Sequence, residues 1–127
     1  MNYFKSILIY FLLISNLLSQ AENWERGSKK DVPKIGEVYG TIIDSLSLDP
    51  ILYASISIVS VRSNTIVTGG ITNEQGQFMI NQIPLGKYLI IFEYIGYNKK
   101  IIGPLTFLSY GDNKTSHNLN KIFMIQK

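Results

Sequence analysis

The chain has 127 residues, with 12 Lys and Arg against 9 Asp and Glu, which gives a formal net charge of +3. This length fits one domain and leaves no room for a catalytic domain beside a regulatory one. The absence of Cys excludes disulfides, thiol nucleophiles and cysteine zinc sites. Neutralising phosphates requires clustered Lys and Arg, which a net charge of +3 does not supply, so we expect no nucleic-acid partner.

The N-terminus has the layout of a secretory signal peptide. Lys5 precedes an apolar run from Ile7 to Leu18, and small residues follow that run. The run is shorter than the roughly 20 apolar residues that cross a bilayer. We predict a signal peptide over residues 1–20, cleaved after Gln20 or Ala21, and therefore an exported chain. The alternative is an uncleaved anchor.

A charged stretch separates this segment from the rest of the chain. Positions 22–34 carry seven charged residues and show no period of 2 or 3.6. Such a composition buries too little apolar area to offset the entropy of ordering, which predicts a flexible charged linker over residues 21–35. The linker holds the single Trp of the chain, Trp24, which we interpret as a scattered surface hydrophobe.

Residues 36–127 alternate short β-type runs with turn signals. Period-two patterns predict strands from Gly36 to a break at Asp44, then over 54–58, 66–72, 77–80, 87–94, 99–102 and 119–125, with a short extra strand over 105–108. Turns are predicted at 73–76, 84–86 and 96–98. Strands spaced every 10–12 residues are typical of a β-sandwich or small barrel. No helical period follows residue 21, which excludes parallel α/β folds.

One face of these strands is predicted to form the core. The adjacent Gly69 and Gly70 within one strand indicate a bulge or a close backbone approach. Truncating Phe78 or Ile90 to Ala should cost about 3–5 kcal/mol. The predicted inward residues are Val38, Ile42, Ala54, Ile56, Ile58, Val67, Ile71, Phe78, Ile80, Ile83, Tyr88, Ile90, Phe92 and Ile122.

Residues able to perform chemistry are sparse. The only histidine, His117, falls in a predicted polar loop with no nucleophile motif near it, so we interpret it as an exposed loop residue. Asp44, Asp49, Glu74 and Asp112 stand alone in separate turns, where a carboxylate ordinarily bonds its own backbone. The sequence therefore predicts no catalytic residue, no cofactor-binding residue and no metal ligand.

Four segments, taken in order, resemble one family. They are I-G-E-V-Y-G-T-I-I-D from Ile35, S-L-D-P-I-L-Y-A-S-I from Ser47, T-G-G-I-T-N-E-Q-G-Q-F-M-I from Thr68 and I-P-L-G-K-Y-L-I-I-F-E-Y-I-G-Y from Ile83. Their order and intervals are similar to those of the carboxypeptidase regulatory-like domain family. The resemblance implies a seven-stranded antiparallel, transthyretin-like β-sandwich over residues 36–127. Leu48 stands where the family pattern has Gly, and Asn73 where it has Asp.

The resemblance implies a function as well as a fold. In that family the domain is non-catalytic, and it often stands at the N-terminus of TonB-dependent outer-membrane β-barrel receptors, after a signal peptide and a charged linker. It therefore implies a module in the periplasm, or on the periplasmic side of the outer membrane, that acts through protein contacts. The alternative is a stand-alone exported sandwich that binds carbohydrate or a cell-surface protein. A transthyretin-like hydrolase would need several His and Arg, and this chain has one His.

Four residues are candidates for contact with a partner. Leu89 and Ile91 alternate with the predicted core residues of the same strand, so they form an apolar patch unless neighbouring strands or residues 105–108 cover them. Tyr97 and Tyr110 lie in predicted turns or loops, where an aromatic side chain can contact a protein or a sugar.

Overall fold

The computed structural model describes residues 32–108 and 115–127. The predicted signal peptide, Trp24, Tyr110 and Asp112 lie outside these residues, as does most of the predicted linker. Within the described residues the chain forms seven strands: β1 (Gly36–Asp44), β2 (Ser55–Ser60), β3 (Ile66–Ile71), β4 (Gln77–Ile83), β5 (Gly86–Glu93), β6 (Lys100–Phe107) and β7 (Ser116–Met124).

The strands form two sheets with the orders β4-β1-β7 and β3-β2-β5-β6. This confirms the predicted seven-stranded β-sandwich. The antiparallel prediction is wrong for one pair, because β1 and β7 run parallel. Two strands joined by a tight hairpin must pair antiparallel, whereas β1 and β7 are the first and last strands of the described fold and no hairpin fixes their relative direction.

The core lies between the two sheets. Edge-to-face aromatic pairs fill it: the rings of Phe78 and Phe92 lie 5.5 Å apart, and those of Tyr88 and Phe107 lie 5.8 Å apart. Phe78 belongs to the three-stranded sheet and Phe92 to the four-stranded one, so this contact joins the layers. The predicted inward residues that are buried are Val38, Ile42, Ala54, Ile56, Ile58, Phe78, Ile80, Ile83, Tyr88, Ile90, Phe92 and Ile122.

The prediction was wrong for Val67 and Ile71, which are 41% and 64% exposed. Gly70 pairs with buried Ile56, so the residues of β3 that face the core are out of phase with the predicted ones by one position. Thr72 then takes the next inward position and is 1% exposed. Because Gly69 and Gly70 carry no side chains, the sequence does not show which residues of β3 face the core.

The close backbone approach predicted for the two adjacent glycines occurs at Gly69. A Cβ atom built on Gly69 would overlap the carbonyl oxygen of Ile56 on the neighbouring strand. At Gly70 the nearest atom to such a Cβ lies 3.6 Å away, on a side chain of β4, which is ordinary contact. The two adjacent glycines are therefore not equivalent, since one is required by the backbone of β2 and the other is not.

The turn that begins at Asn73 has the predicted chemistry. Gly76 adopts a φ of 71°, and its N–H donates to the carbonyl of Asn73 at 3.0 Å. The Asn73 side-chain oxygen accepts from the N–H groups of Gln75 and Gln77 at 3.0 and 2.9 Å. An amide oxygen accepts these bonds as a carboxylate would, so Asn73 in place of Asp preserves the turn.

The two strands predicted at 99–102 and 105–108 are one strand, β6. Gly103, with a φ of 120°, and Pro104 interrupt the period-two pattern between them. The pairing with β5 shifts register at this point and then resumes, so the interruption is a bulge within a single strand.

Candidate protein-contact surface

Leu89 and Ile91 lie on the outer face of the four-stranded sheet. The alternate residues of β5, Tyr88, Ile90 and Phe92, face the core, and Leu89 and Ile91 are half-buried on the opposite side. The segment over 105–107 belongs to β6, which lies beside β5 rather than over its face. Lateral neighbours within the sheet therefore account for the partial burial.

Cross-strand pairing extends these two residues into an apolar stripe, defined by Val59, Leu89, Ile91 and Ile101. Val59 pairs with Leu89, and Ile91 pairs with Ile101. Ile101 is 54% exposed. Ser57 pairs with Ile91 on the neighbouring strand β2, and its short side chain does not cover Ile91. The outer face of this sheet thus presents aliphatic groups from β5 to the edge strand β6, while Val59 on β2 is only 8% exposed.

A hollow of about 450 Å³ lies at the end of the same sheet. Its apolar lining includes Tyr53, which is 58% exposed, and Ile95, which is 95% exposed. Glu93 and Lys99 also line it and form an ion pair at 3.4 Å, with both side chains more than half exposed. An ion pair so exposed contributes little to folding stability. We call this region the tip hollow.

Tyr97 also lines the tip hollow, but its hydroxyl is bonded to a buried carboxylate. The hydroxyl donates to Asp44 Oδ2 at 2.7 Å, and Gln126 Nε2 donates to the same oxygen at 2.9 Å. Asp44 Oδ1 accepts from the N–H groups of Leu46 and Ser47 at 2.8 and 2.9 Å. This carboxylate clamp joins the end of β1 to the tip hollow and to the chain after β7.

The clamp changes the acidity of its members. The hydrogen bond from the Ser47 N–H, followed by those from Tyr97 and Leu46, holds the pKa of Asp44 well below its usual range. The hydrogen bond that Tyr97 donates to this carboxylate raises the pKa of the phenol. The prediction that Asp44 bonds its own backbone is confirmed. Sequence reasoning missed the clamp because Tyr97 and Gln126 are 53 and 82 residues away along the chain.

The apolar stripe and the tip hollow form one continuous surface. Ser55 on β2 pairs with Glu93 on β5, and both residues also line the tip hollow. Outward positions 89, 91 and 93 of β5 therefore lead from the stripe to the hollow. Leu89 and Ile91 thus lie on the outer face of the four-stranded sheet, and Tyr97 lies at the adjoining end of the domain, where it packs against the core.

The interpretation of His117 as an exposed loop residue is wrong. It lies in β7, which begins at Ser116, and it is half-buried. Its Nε2 atom lies 2.9 Å from the carbonyl oxygen of Thr106, and its ring centroid is 4.8 Å from that of Phe107, edge to face. His117 therefore caps the core between β6 and β7.

No group of three or more His, Cys, Asp or Glu is arranged to hold a metal ion within residues 32–108 and 115–127. Over the same residues, no helix could cross a membrane.

Two sheets packed on an aliphatic and aromatic core define the class of the protein as a β-sandwich domain. The chain belongs to the CarboxypepD_reg-like domain family, whose sequence model matches residues 38–104. The match runs from within β1 to within β6 and includes Leu89, Ile91 and Tyr97. No curated protein sequence gives a significant match to the chain.

Solved structures with a similar fold include two pilins and a cohesin–X-dockerin complex. BcpA, the major pilin subunit of Bacillus cereus, is 18% identical with a TM-score of 0.53, and the match covers 75% of this chain and 31% of that one. A streptococcal ancillary pilin is 13% identical with a TM-score of 0.51, covering 76% and 30%. A type II cohesin–X-dockerin complex of Acetivibrio cellulolyticus is 18% identical with a TM-score of 0.50, and the match covers 70% of this chain and 56% of that one. The chain thus spans between about a third and just over half of these proteins, and the likeness shows the fold alone.

Proposed function

We propose that the protein is an exported, non-catalytic module that binds a protein partner through the apolar stripe and the tip hollow. The partner is an outer-membrane β-barrel receptor of the TonB-dependent class, and the domain serves as its accessory domain on the periplasmic side. Family membership supports a non-catalytic role, and the signal-peptide layout of residues 1–20 supports export.

The observation that carries this proposal is the set of outward-facing aliphatic groups along one side of the domain, in which Leu89 and Ile91 are half-buried and Ile101 and Ile95 are exposed. Ile101 and Ile95 are 54% and 95% exposed, at the middle and at the end of the surface. An isolated exposed Ile needs no explanation, but a contiguous patch rimmed by polar groups is typical of an interface. Glu93 and Lys99 supply such a rim beside the tip hollow.

The fold makes this surface suitable for a rigid docking contact. The apolar stripe lies on β2, β5 and β6, whose opposite faces contribute fully buried residues such as Ile58, Ile90 and Phe107. The carboxylate clamp fixes the base of the tip through Tyr97. Because these groups are held before binding, little conformational entropy is lost when a partner covers them.

Site-specific photo-crosslinking in the producing cell tests the proposal. A photoreactive residue is placed at Ile95 or at Ile101, with Met79 as the matched control. Met79 is 64% exposed, but it lies on the other sheet. We expect cross-links from positions 95 and 101 to an outer-membrane β-barrel protein identified by mass spectrometry, and none from position 79.

A charge substitution then links the cross-link to the surface. Ile101→Asp places a charge in the apolar stripe and should abolish the cross-link from position 95, whereas Met79→Asp should leave that cross-link unchanged. Both side chains are exposed, so neither change disturbs the core. Equal cross-linking from all three positions, or an Ile101→Asp variant that keeps the cross-link, would contradict the proposal.

A further inference from the structure

The outer face of the three-stranded sheet holds a second hollow, of about 880 Å³, on the opposite side of the domain from the apolar stripe. Tyr39 on β1 pairs with Met79 on β4 and with Asn118 on β7. Two residues further along β1, Thr41 pairs with Gln77 on β4 and with Lys121 on β7. The short Thr41 side chain lies between longer ones, which gives the face its depression.

A bulge in β7 adds polar groups to this sheet-face hollow. The register of β7 against β1 shifts between the partners of Tyr39 and Thr41, which places the extra residue near Asn120. Asn120 has a φ of 55°, and both it and Lys121 are exposed and line the hollow. A Cβ on Gly40 would lie 2.9 Å from the Asn120 carbonyl oxygen, so the bulge requires glycine at this position of β1.

Two side-chain amides of the sheet-face hollow, those of Asn118 and Gln77, have oxygens that accept hydrogen bonds from neighbouring residues. The oxygen of Asn118 accepts from the Asn120 N–H at 2.9 Å, and the oxygen of Gln77 accepts from Asn73 Nδ2 at 3.3 Å. Asn73 uses its own oxygen for the backbone of its turn. The N–H₂ groups of Asn118 and Gln77 and the Lys121 ammonium are then donors that line the hollow, together with the Asn120 amide and the hydroxyls of Tyr39 and Thr41.

Apolar side chains border these donors. Phe123 is 43% exposed, Met79 is 64% exposed, and Tyr39 is half-buried. All three line the hollow. Within the described residues the lining includes one cation, Lys121, and no carboxylate. A ligand that fits must therefore combine a flat apolar surface with closely spaced acceptors and a negative charge.

We propose that the sheet-face hollow binds an acidic oligosaccharide built of uronic acid units. The oligosaccharide presents the C–H faces of two pyranose rings, one to Tyr39 and one to Phe123, because Phe123 pairs with Ile43 and so lies about 13 Å from Tyr39 along the sheet. Its ring and hydroxyl oxygens accept from the amides of Asn118 and Gln77, and its carboxylate accepts from Lys121. This site is independent of the apolar stripe and of any protein partner bound there.

Titration of the full chain with defined oligomers tests this site. The probes are hexamers of galacturonate, mannuronate and glucuronate-containing hyaluronan, with maltohexaose as the uncharged counterpart and hexaglutamate as the acidic peptide. We expect at least one uronate to bind with a dissociation constant of about 0.1–1 mM. In ¹⁵N–¹H NMR spectra, its shift changes should be confined to β1, β4 and β7.

Matched variants assign the contacts. Lys121→Gln should weaken uronate binding about tenfold and reduce its dependence on salt, whereas Lys100→Gln, which removes an exposed cation from the other sheet, should change neither. Asn118→Asp, which adds a negative charge among the donors, should abolish binding. No uronate binding at about 5 mM would overturn the proposal. So would equal binding of maltohexaose or hexaglutamate, or equal effects of the two Lys variants.

Discussion

The buried hydroxyl of Thr72 allows a sharp test of how the loop between β1 and β2 is held. Thr72 Oγ1 donates to the carbonyl of Ile51 at 2.6 Å and accepts from the Ala54 N–H at 2.9 Å. The backbone of Thr72 adds two more bonds, from its N–H to the Ala54 carbonyl and to its carbonyl from the Tyr53 N–H. Ile51 and Ala54 are buried, so water does not replace a lost partner there.

Thr72→Val keeps the shape of the side chain and removes both hydroxyl bonds. A buried donor or acceptor left without a partner costs about 1–3 kcal/mol, so the two groups together should lower the free energy of unfolding by about 3 kcal/mol. Thr72→Ser is the matched control, since it keeps the hydroxyl and removes one methyl group at a cost of about 1 kcal/mol. With a urea m-value of about 1.5 kcal/mol/M, the unfolding midpoint should shift by about 2 M for the Val variant.

Urea unfolding followed by circular dichroism measures both variants. The reasoning requires the Val variant to be less stable than the Ser variant, by a margin well outside the error of the extrapolation. A Val variant as stable as the natural chain, or a Ser variant that is the weaker of the two, would show that packing of the methyl group rather than hydrogen bonding decides this position.

Three further predictions concern other parts of the sandwich. Gly69→Ala should destabilise the domain by about 1–3 kcal/mol because the new Cβ overlaps the Ile56 carbonyl, whereas Gly70→Ala should be neutral or slightly stabilising in the same urea assay. Ile90→Ala, at a fully buried position, should cost about 3–5 kcal/mol and lower the thermal midpoint by more than about 10 °C. The lowered pKa of Asp44 means that its clamp stabilises the fold above about pH 4 and that this contribution is lost as the pH falls. In the Asp44→Asn variant, the free energy of unfolding should therefore fall less steeply as the pH is lowered below about 4. The same pH dependence in the variant and the natural chain would contradict this assignment.

The period-two pattern predicted most of the core because hydrophobic burial acts on each strand locally. It failed in β3, where Gly69 and Gly70 carry no side chain to report which face they occupy, and where the inward position of Thr72 depends on hydrogen bonds to a loop about 20 residues away. It also divided β6 at Gly103, because a bulge interrupts the alternation without ending the pairing.

For the candidate surfaces too, the sequence predicts what is local to one strand and not what depends on pairing between strands. Leu89 and Ile91 were predicted to share a face because alternation along one strand is a local property. That Ile101 joins them follows from cross-strand register, which one chain's pattern does not specify. The sheet-face hollow depends on three strands and on a bulge opposite Gly40, so its lining could not be assembled from separate motifs. His117 was misplaced because the polar residues that open β7 resemble a loop.

The parallel pairing of β1 and β7 has a mechanical consequence. Tension applied between Gly36 and Met124 would pull two adjacent, like-directed strands past each other along their length. The hydrogen bonds between them would then be loaded together in shear, rather than opened one after another as in a peeled hairpin. A domain built this way resists stretching between those two positions more strongly than its modest size suggests.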